Sequence, residues 1–124
     1  MVNAYDHTIR TKECKNIKGY SSVDLREEDQ TISAFQSANQ ALGNVTDVVG
    51  IVGGSGRKFG DGRVDEISLD AWNRTLALNL STAFLTLREG VKLLRKNGGS
   101  VTLTGSVLAK SPVKEHFTTH AYAT

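Results

Sequence analysis

The chain has little of three residue types that constrain protein architecture. Its 124 residues include one cysteine and one proline, and only 6% of them are aromatic. A single cysteine, Cys14, excludes an intrachain disulfide and favours a reducing compartment, so we expect a cytoplasmic protein. Residues 1–16 are polar and lack the apolar core of a signal peptide. No stretch approaches the roughly 18 apolar residues of a membrane-spanning helix, so no membrane association is predicted.

No charge of one sign dominates either. Lys and Arg number 15, Asp and Glu number 13, and the formal net charge is +2. The basic residues are scattered, which argues against a nucleic-acid partner. The acidic residues are dispersed as well, which argues against a hydrolase with paired carboxylates. With 39% hydrophobic and 23% charged residues, the chain has the composition of one folded domain.

Three short segments predict strands. They cover residues 20–25 (YSSVDL), 45–52 (VTDVVGIV) and about 100–105. The second is almost continuously apolar and β-branched, which is typical of a strand buried in a parallel sheet. Because helical segments alternate with the strands, we expect an α/β fold. It would be a partial Rossmann-like parallel sheet of three or more strands with flanking helices.

Two helices are predicted between the strands. The first covers residues 27–42 and ends at Gly43 as its C-cap. The second covers residues 68–97 and starts at Ser68 as its N-cap. One face of the second helix carries an apolar stripe, which consists of Trp72, Leu76, Leu80, Phe84, Leu87, Val91 and Leu94. A helix this rich in leucine either lies deep in the fold or packs on a second chain, which leaves a non-enzymatic oligomerising module as an alternative function.

The loop at 53–63 contains the pattern G-x-x-x-G-x-G from Gly56 to Gly62. Directly after a buried strand, such a pattern can form a phosphate-binding turn, provided that a helix begins immediately behind it. Here the next helix is predicted to begin only at Ser68. An ordinary loop at the carboxyl end of a strand, which can still line a ligand crevice, is therefore the favoured interpretation.

Five segments in succession carry a family resemblance. They are VDLREEDQ (23–30), GNVTDVVGIVGG (43–54), LDAWNRTLALNLSTAF (69–84), GGSVTLTGS (98–106) and AYAT (121–124). In this order and approximate spacing they resemble the central portion of the short-chain dehydrogenase/reductase family. The resemblance implies NAD or NADP as cofactor, a small carbonyl or alcohol as substrate, and a homodimer or higher homo-oligomer that assembles through the long helix.

The resemblance also implies site residues. Ser106 and Tyr122 correspond to the serine and tyrosine that polarise and protonate the substrate carbonyl, and Asn79 corresponds to the structural and catalytic asparagine. Gly53 and Gly54 fall at the end of the N-N-A-G motif beside the cofactor. Asp24 corresponds to the aspartate that contacts adenine.

Each assignment has a simpler alternative. Ser106 could satisfy local backbone at a strand end. Asn79, a poor helix former in mid-helix, could hold a water or a backbone carbonyl near the site, and the simpler alternative is that it faces solvent. Asp24 could cap the following helix. His116 and His120 are spaced i, i+4 but lack the glutamate of an H-E-x-x-H site, so no metal site is predicted.

The sequence departs from the family pattern at three places. The glycine turn T-G-x-x-x-G-x-G is not found in residues 1–22, and the N-N-A-G position reads I-V-G-G. The family's lysine, four positions after the tyrosine, would lie beyond Thr124. We therefore expect a single incomplete Rossmann-like domain over 1–124, with 1–22 poorly assigned and 23–124 reductase-like. We expect it to be truncated or degenerate, and inactive as this chain.

Overall fold

The computed structural model describes residues 21–111 and 119–124, and in these ranges helices pack beside a parallel sheet. The elements are α1 (Glu28–Leu42), β1 (Asp47–Gly50), α2 (Leu69–Leu76), α3 (Thr82–Leu94), β2 (Ser100–Leu103) and α4 (His120–Ala123). A π-helical turn over Ala77–Ser81 joins α2 to α3. The expectations for residues 1–20, including Cys14, and for His116 concern residues outside the described ranges.

The sheet of the described residues has two strands, β1 and β2, which pair in parallel. Asp47 lies opposite Ser100, and Gly50 lies opposite Leu103. Beyond the strands, the Thr104 N–H donates to the Gly50 carbonyl over 2.9 Å, so both strands end at the same edge. The third strand, over 20–25, stays a prediction. Of its described residues, Ser22 forms a single β-bridge.

Local signals at the helix ends are confirmed. Gly43 closes α1 with a φ of 76°, and its N–H donates to the Asn39 carbonyl over 2.9 Å. Ser68 precedes α2, and its hydroxyl oxygen accepts the Ala71 N–H over 3.1 Å. Both arrangements satisfy backbone groups that a helix end leaves unpaired, which is why the sequence marks these boundaries clearly.

The long helix, residues 69–94, is interrupted by its π-helical turn. The Asn79 side chain donates from Nδ2 to the Thr75 carbonyl over 2.8 Å. An ordinary α-helix offers that carbonyl to the backbone N–H of residue 79. A side-chain donor inside the hydrogen-bond ladder is a recognised cause of such a local departure.

The sheet packs one face against α3. A Cβ added at Gly90 would lie 3.2 Å from Val101 Cγ2 and 3.5 Å from Val48, so the helix backbone rests directly on the strands. Leu78 and Leu85 of the long helix are buried. None of the helices in residues 21–111 and 119–124 has the length and apolar character needed to cross a bilayer.

Candidate active site

Five of the six predicted site residues, all except Asp24, lie in segments that follow the strands or belong to the long helix and to α4. Gly53 and Gly54 follow β1, Ser106 follows β2, and Asn79 lies in the π-helical turn. Tyr122 lies in α4, which packs against α2 and against the turn at 107–109. In parallel α/β sheets, ligands bind at the carboxyl ends of the strands. The segments that follow β1 and β2 therefore leave the sheet at the edge where such a fold places its ligand.

Asn79 is bound to the loop that follows β1. Its Oδ1 accepts the Gly54 N–H over 2.9 Å, and its Nδ2 donates to the Gly54 carbonyl, also over 2.9 Å. With the bond to Thr75, the amide uses both of its N–H donors and its carbonyl oxygen. Asn79 thus holds a backbone carbonyl, one of the roles that the sequence left open for it.

The contact between Asn79 and the loop requires a glycine at position 53, because the backbone there lies close to the Asn79 side chain. A Cβ at that position would lie 2.6 Å from Asn79 Oδ1, which is closer than real Cβ atoms come to another heavy atom. The glycine leaves an exposed stretch of backbone beside the sheet edge. At Gly54 an added Cβ would lie 3.5 Å from Leu78, an ordinary contact. Of these two glycines, Gly53 is therefore the one that cannot be replaced for steric reasons.

Ser106 caps the short 3₁₀ turn that follows β2. Its hydroxyl oxygen accepts the Leu108 N–H over 3.2 Å, and the residue is half-buried. This is the local role that the sequence left open for a strand-end serine. A hydroxyl that accepts one hydrogen bond keeps its own proton for donation. The capping bond and a contact with a substrate oxygen are therefore chemically compatible.

Tyr122 is held in place by Asp61, a residue that the sequence reasoning missed. The Asp61 carboxylate accepts the Ala121 N–H at Oδ1 over 3.1 Å and the Tyr122 N–H at Oδ2 over 3.0 Å. Asp61 itself is only 7% exposed. Next to it, the Gly62 carbonyl accepts the His120 N–H over 3.2 Å and the ring Nδ1–H of His120 over 2.8 Å. The loop after β1 therefore binds the whole start of α4.

The glycine loop does not have the geometry of a phosphate-binding turn. The Phe59 and Asp61 N–H groups both donate to the Gly56 carbonyl, over 2.7 and 3.2 Å. The Gly60 N–H donates to the Arg57 carbonyl over 3.0 Å. These amides are used inside the loop, and α2 begins well behind it, at Leu69. The favoured interpretation, a loop without a phosphate-binding role of its own, agrees with this arrangement.

Asp24 lies before α1 and pairs with Arg26. Its carboxylate accepts the Arg26 backbone N–H over 3.0 Å and the Nε–H at both oxygens, over 2.9 and 3.0 Å. These hydrogen bonds hold the pKa of Asp24 below its ordinary value. The N-cap of α1 is Glu27, so the proposed capping of this helix by the Asp24 side chain is wrong. The adenine contact stays a prediction.

Among the residues that the structure describes, no three His, Cys, Asp or Glu side chains come together as a metal site. His120, one of the two histidines considered above, is instead bonded to the Gly62 carbonyl.

Comparisons with known proteins agree with this arrangement. A family model described as "Enoyl-(Acyl carrier protein) reductase" matches residues 6–123. A search of curated proteins returned no match. Among solved structures, a short-chain type dehydrogenase/reductase from Mycobacterium ulcerans is 28% identical with a TM-score of 0.72, and the match covers 84% of this chain and 36% of that one.

Two other similar structures share the fold at lower identity. The NADPH-dependent 3-quinuclidinone reductase from Rhodotorula rubra is 22% identical with a TM-score of 0.74, and the match covers 84% of this chain and 38% of that one. A 7α-hydroxysteroid dehydrogenase complexed with NADH and 7-oxo glycochenodeoxycholic acid is 20% identical with a TM-score of 0.69, and the match covers 84% and 39%. The chain thus spans well under half the length of each of these proteins. Since the family model matches nearly all of it, the chain belongs to the short-chain dehydrogenase/reductase family.

Proposed function

We propose that the protein acts in NAD(P)-dependent reduction of a small carbonyl compound, or oxidation of the corresponding alcohol, in the cytoplasm. The observation that carries this proposal is the placement of α4. This helix bears Tyr122, is bonded to the loop after β1, and packs against the turn that Ser106 caps. These contacts between segments support a shared site for the two hydroxyl residues that the family resemblance singles out.

The chemistry assigned to these residues follows from their groups. Ser106 donates a hydrogen bond to the substrate oxygen and so stabilises the negative charge that develops on it. Tyr122 transfers a proton to that oxygen during reduction and takes it back during oxidation. Asn79 acts through Gly54, because its amide is used by backbone groups. We assign it the role of holding the loop beside the cofactor.

The described residues fit part of a nicotinamide cofactor. Gly53 offers exposed backbone without a side chain at the sheet edge, so a flat ring can approach it closely. The hydrogen bonds of Asn79 to Gly54 fix that backbone. Asp24, whose carboxylate pairs with Arg26, is the residue that we assign to the adenine amino group. A glycine turn that opens directly into a helix, which would hold the pyrophosphate, is not present in the described ranges. When bound, the cofactor supplies or accepts the hydride.

Cofactor choice stays open between NAD and NADP. The structurally similar proteins include an NADPH-dependent reductase and a dehydrogenase complexed with NADH. Binding of NADH or NADPH reports on the site whether or not residues 1–124 by themselves turn over a substrate. Cofactor binding is therefore the primary readout for the site.

The test is a titration of the chain with NADH and with NADPH, followed by nicotinamide fluorescence. Saturable binding with a Kd below about 100 μM, a binding free energy of roughly −5 kcal/mol or better, supports the proposal. In that case Asp24→Asn should weaken binding, whereas the matched control Asp70→Asn, on an exposed turn of α2, should leave it unchanged. No binding at millimolar concentrations of both cofactors contradicts the proposal.

A second candidate function is association with a second copy of this chain. The specific observation is the exposure of the predicted stripe on the long helix: Leu80 is 65% exposed and Phe84 is 56% exposed, and Leu87 and Val91 continue the same stripe. Exposed apolar side chains that form one stripe are typical of an interface, and two-fold homodimers are the commonest oligomers.

Sedimentation velocity of the wild-type chain and of Leu80→Asp tests the candidate. A dimer that becomes a folded monomer in the variant supports it, with Asn73→Asp on an exposed position of α2 as the control. A monomeric wild-type chain contradicts it. A Leu80→Asp variant that stays dimeric contradicts it as well, since the exposed stripe would then not be the interface.

A further inference from the structure

We propose that Asp61 is a positioning residue of this site, whose carboxylate fixes the backbone that carries Tyr122. The inference rests on the function proposed above for Tyr122. Each carboxylate oxygen accepts one of two consecutive N–H groups, from Ala121 and Tyr122. The carboxylate lies almost wholly out of water, with the residue 7% exposed, and the proposed chemistry makes no other use of it.

The need for such a residue follows from the length of α4. A helix over His120–Ala123 is a single turn, and an isolated turn is unstable because it fixes several residues in exchange for very few hydrogen bonds. The first N–H groups of a helix also have no partners inside it. A buried carboxylate that binds two of them with charge-assisted bonds supplies what the short helix cannot supply itself.

The loop that carries Asp61 is itself fixed on α2. Gly56 has a φ of 69°, and a Cβ added there would lie 2.2 Å from the hydroxyl oxygen of Thr75, a fully buried residue. A Cβ at Gly60 would lie 3.6 Å from the Ala71 side chain. The position of Tyr122 is therefore set from α2, through the glycine loop and Asp61, and not only from the chain that leads to α4 from β2.

Hydrogen-exchange NMR on the full chain tests the inference without requiring turnover. Asp61→Asn keeps the shape of the side chain but turns one acceptor into a donor that faces an N–H. We expect exchange of the Ala121 and Tyr122 amides to accelerate about 10- to 100-fold, as for the loss of one charge-assisted hydrogen bond. The control is Asp65→Asn, in the same connection but with an exposed carboxylate.

Three further readouts separate positioning from a general effect on folding. The ring resonances of Tyr122 should move toward random-coil values in Asp61→Asn, whereas exchange at the buried Leu85 amide of α3 should not change. Asp61→Glu, which keeps both acceptors and the charge, should restore part of the protection.

Some results would overturn the inference. These are unprotected Ala121 and Tyr122 amides in the wild-type chain, or the same acceleration in Asp65→Asn as in Asp61→Asn. A uniform acceleration that includes Leu85 would assign Asp61 a purely structural role and overturn it too. A failure of cofactor binding would instead leave these exchange results intact and would count against the proposed function alone.

Discussion

Replacing Asn79 by alanine should destabilise the fold even though Ala is the better helix former. The change removes three hydrogen bonds: two with the backbone of Gly54 and one with the Thr75 carbonyl. A typical intramolecular hydrogen bond contributes about 1 kcal/mol net. Two effects oppose the loss. The helix propensity of Ala exceeds that of Asn by at most about 0.7 kcal/mol, and water replaces part of the lost bonding because the site is only half-buried. We therefore expect a net loss of about 1–2 kcal/mol.

Urea denaturation followed by circular dichroism measures this loss as a lower midpoint at an unchanged slope. The matched control is Asn73→Ala, which makes the same chemical change at an exposed position of α2. At this position the replacement changes the helix propensity, which is higher for Ala than for Asn. It should therefore leave the unfolding free energy unchanged or raise it by a few tenths of a kcal/mol. If Asn79→Ala is no more destabilising than Asn73→Ala, then the bonds to Gly54 do not contribute to stability and the reasoning fails.

Two other perturbations probe the packing around the site and the charges on α3. Gly56→Ala should lower the unfolding free energy, measured by urea denaturation, by about 2 kcal/mol or more, because it combines a left-handed φ with overlap on Thr75. Gly43→Ala, at a similar φ but with open space around the added Cβ, should lower it by only about 1 kcal/mol. Equal losses in the two variants would refute the overlap with Thr75. Burial alone would raise the pKa of Glu89, but hydrogen bonds from Lys92 and a neighbouring arginine outweigh it and hold that pKa below 4.5. The stabilising contribution of the Glu89 carboxylate is therefore present above pH 4.5 and lost as the pH falls below it. The unfolding free energy should then fall less steeply with acidification in Glu89→Gln than in the wild type. Parallel plots of unfolding free energy against pH for the two proteins would contradict this.

Local signals made much of the fold predictable from the sequence. The β-branched run at 45–52 predicted a buried strand, and β1 forms within it at Asp47–Gly50. The predicted burial is wrong, because Val49 is 63% exposed and Ile51 is 73% exposed, whereas Val48 and Gly50 on the other face approach α3. Gly43 and Ser68 marked helix ends because the backbone groups there need specific partners. Each of these signals lies within a few residues of the structure that it predicts. The contact between Asp61 and the start of α4 spans about 60 residues and leaves no trace in local spacing, so it could not be predicted.

The long helix shows where periodicity stops being informative. Spacing predicted one apolar stripe, yet Leu80 and Phe84 of that stripe are exposed. The buried side instead includes Leu78, Leu85 and the small polar residue Thr82. Thr82 can be buried because its hydroxyl donates to the Leu78 carbonyl over 2.7 Å. A periodic pattern identifies which residues share a face, but the neighbours that cover a face come from other elements.

The two ends of the loop after β1 are held by different parts of the molecule. Asn79 holds Gly54 at one end, and Asp61 holds the start of α4 at the other. Between them, Gly56 rests on Thr75, a residue with no solvent exposure. A fixed point in the middle should isolate the two ends from each other. The unfolding free-energy losses of Asn79→Ala and Asp61→Ala should then add to within about 0.5 kcal/mol in the double variant, as they do for independent sites. A larger departure from additivity would mean that the loop moves as one body, and that the contacts of Gly54 and of Tyr122 are set together.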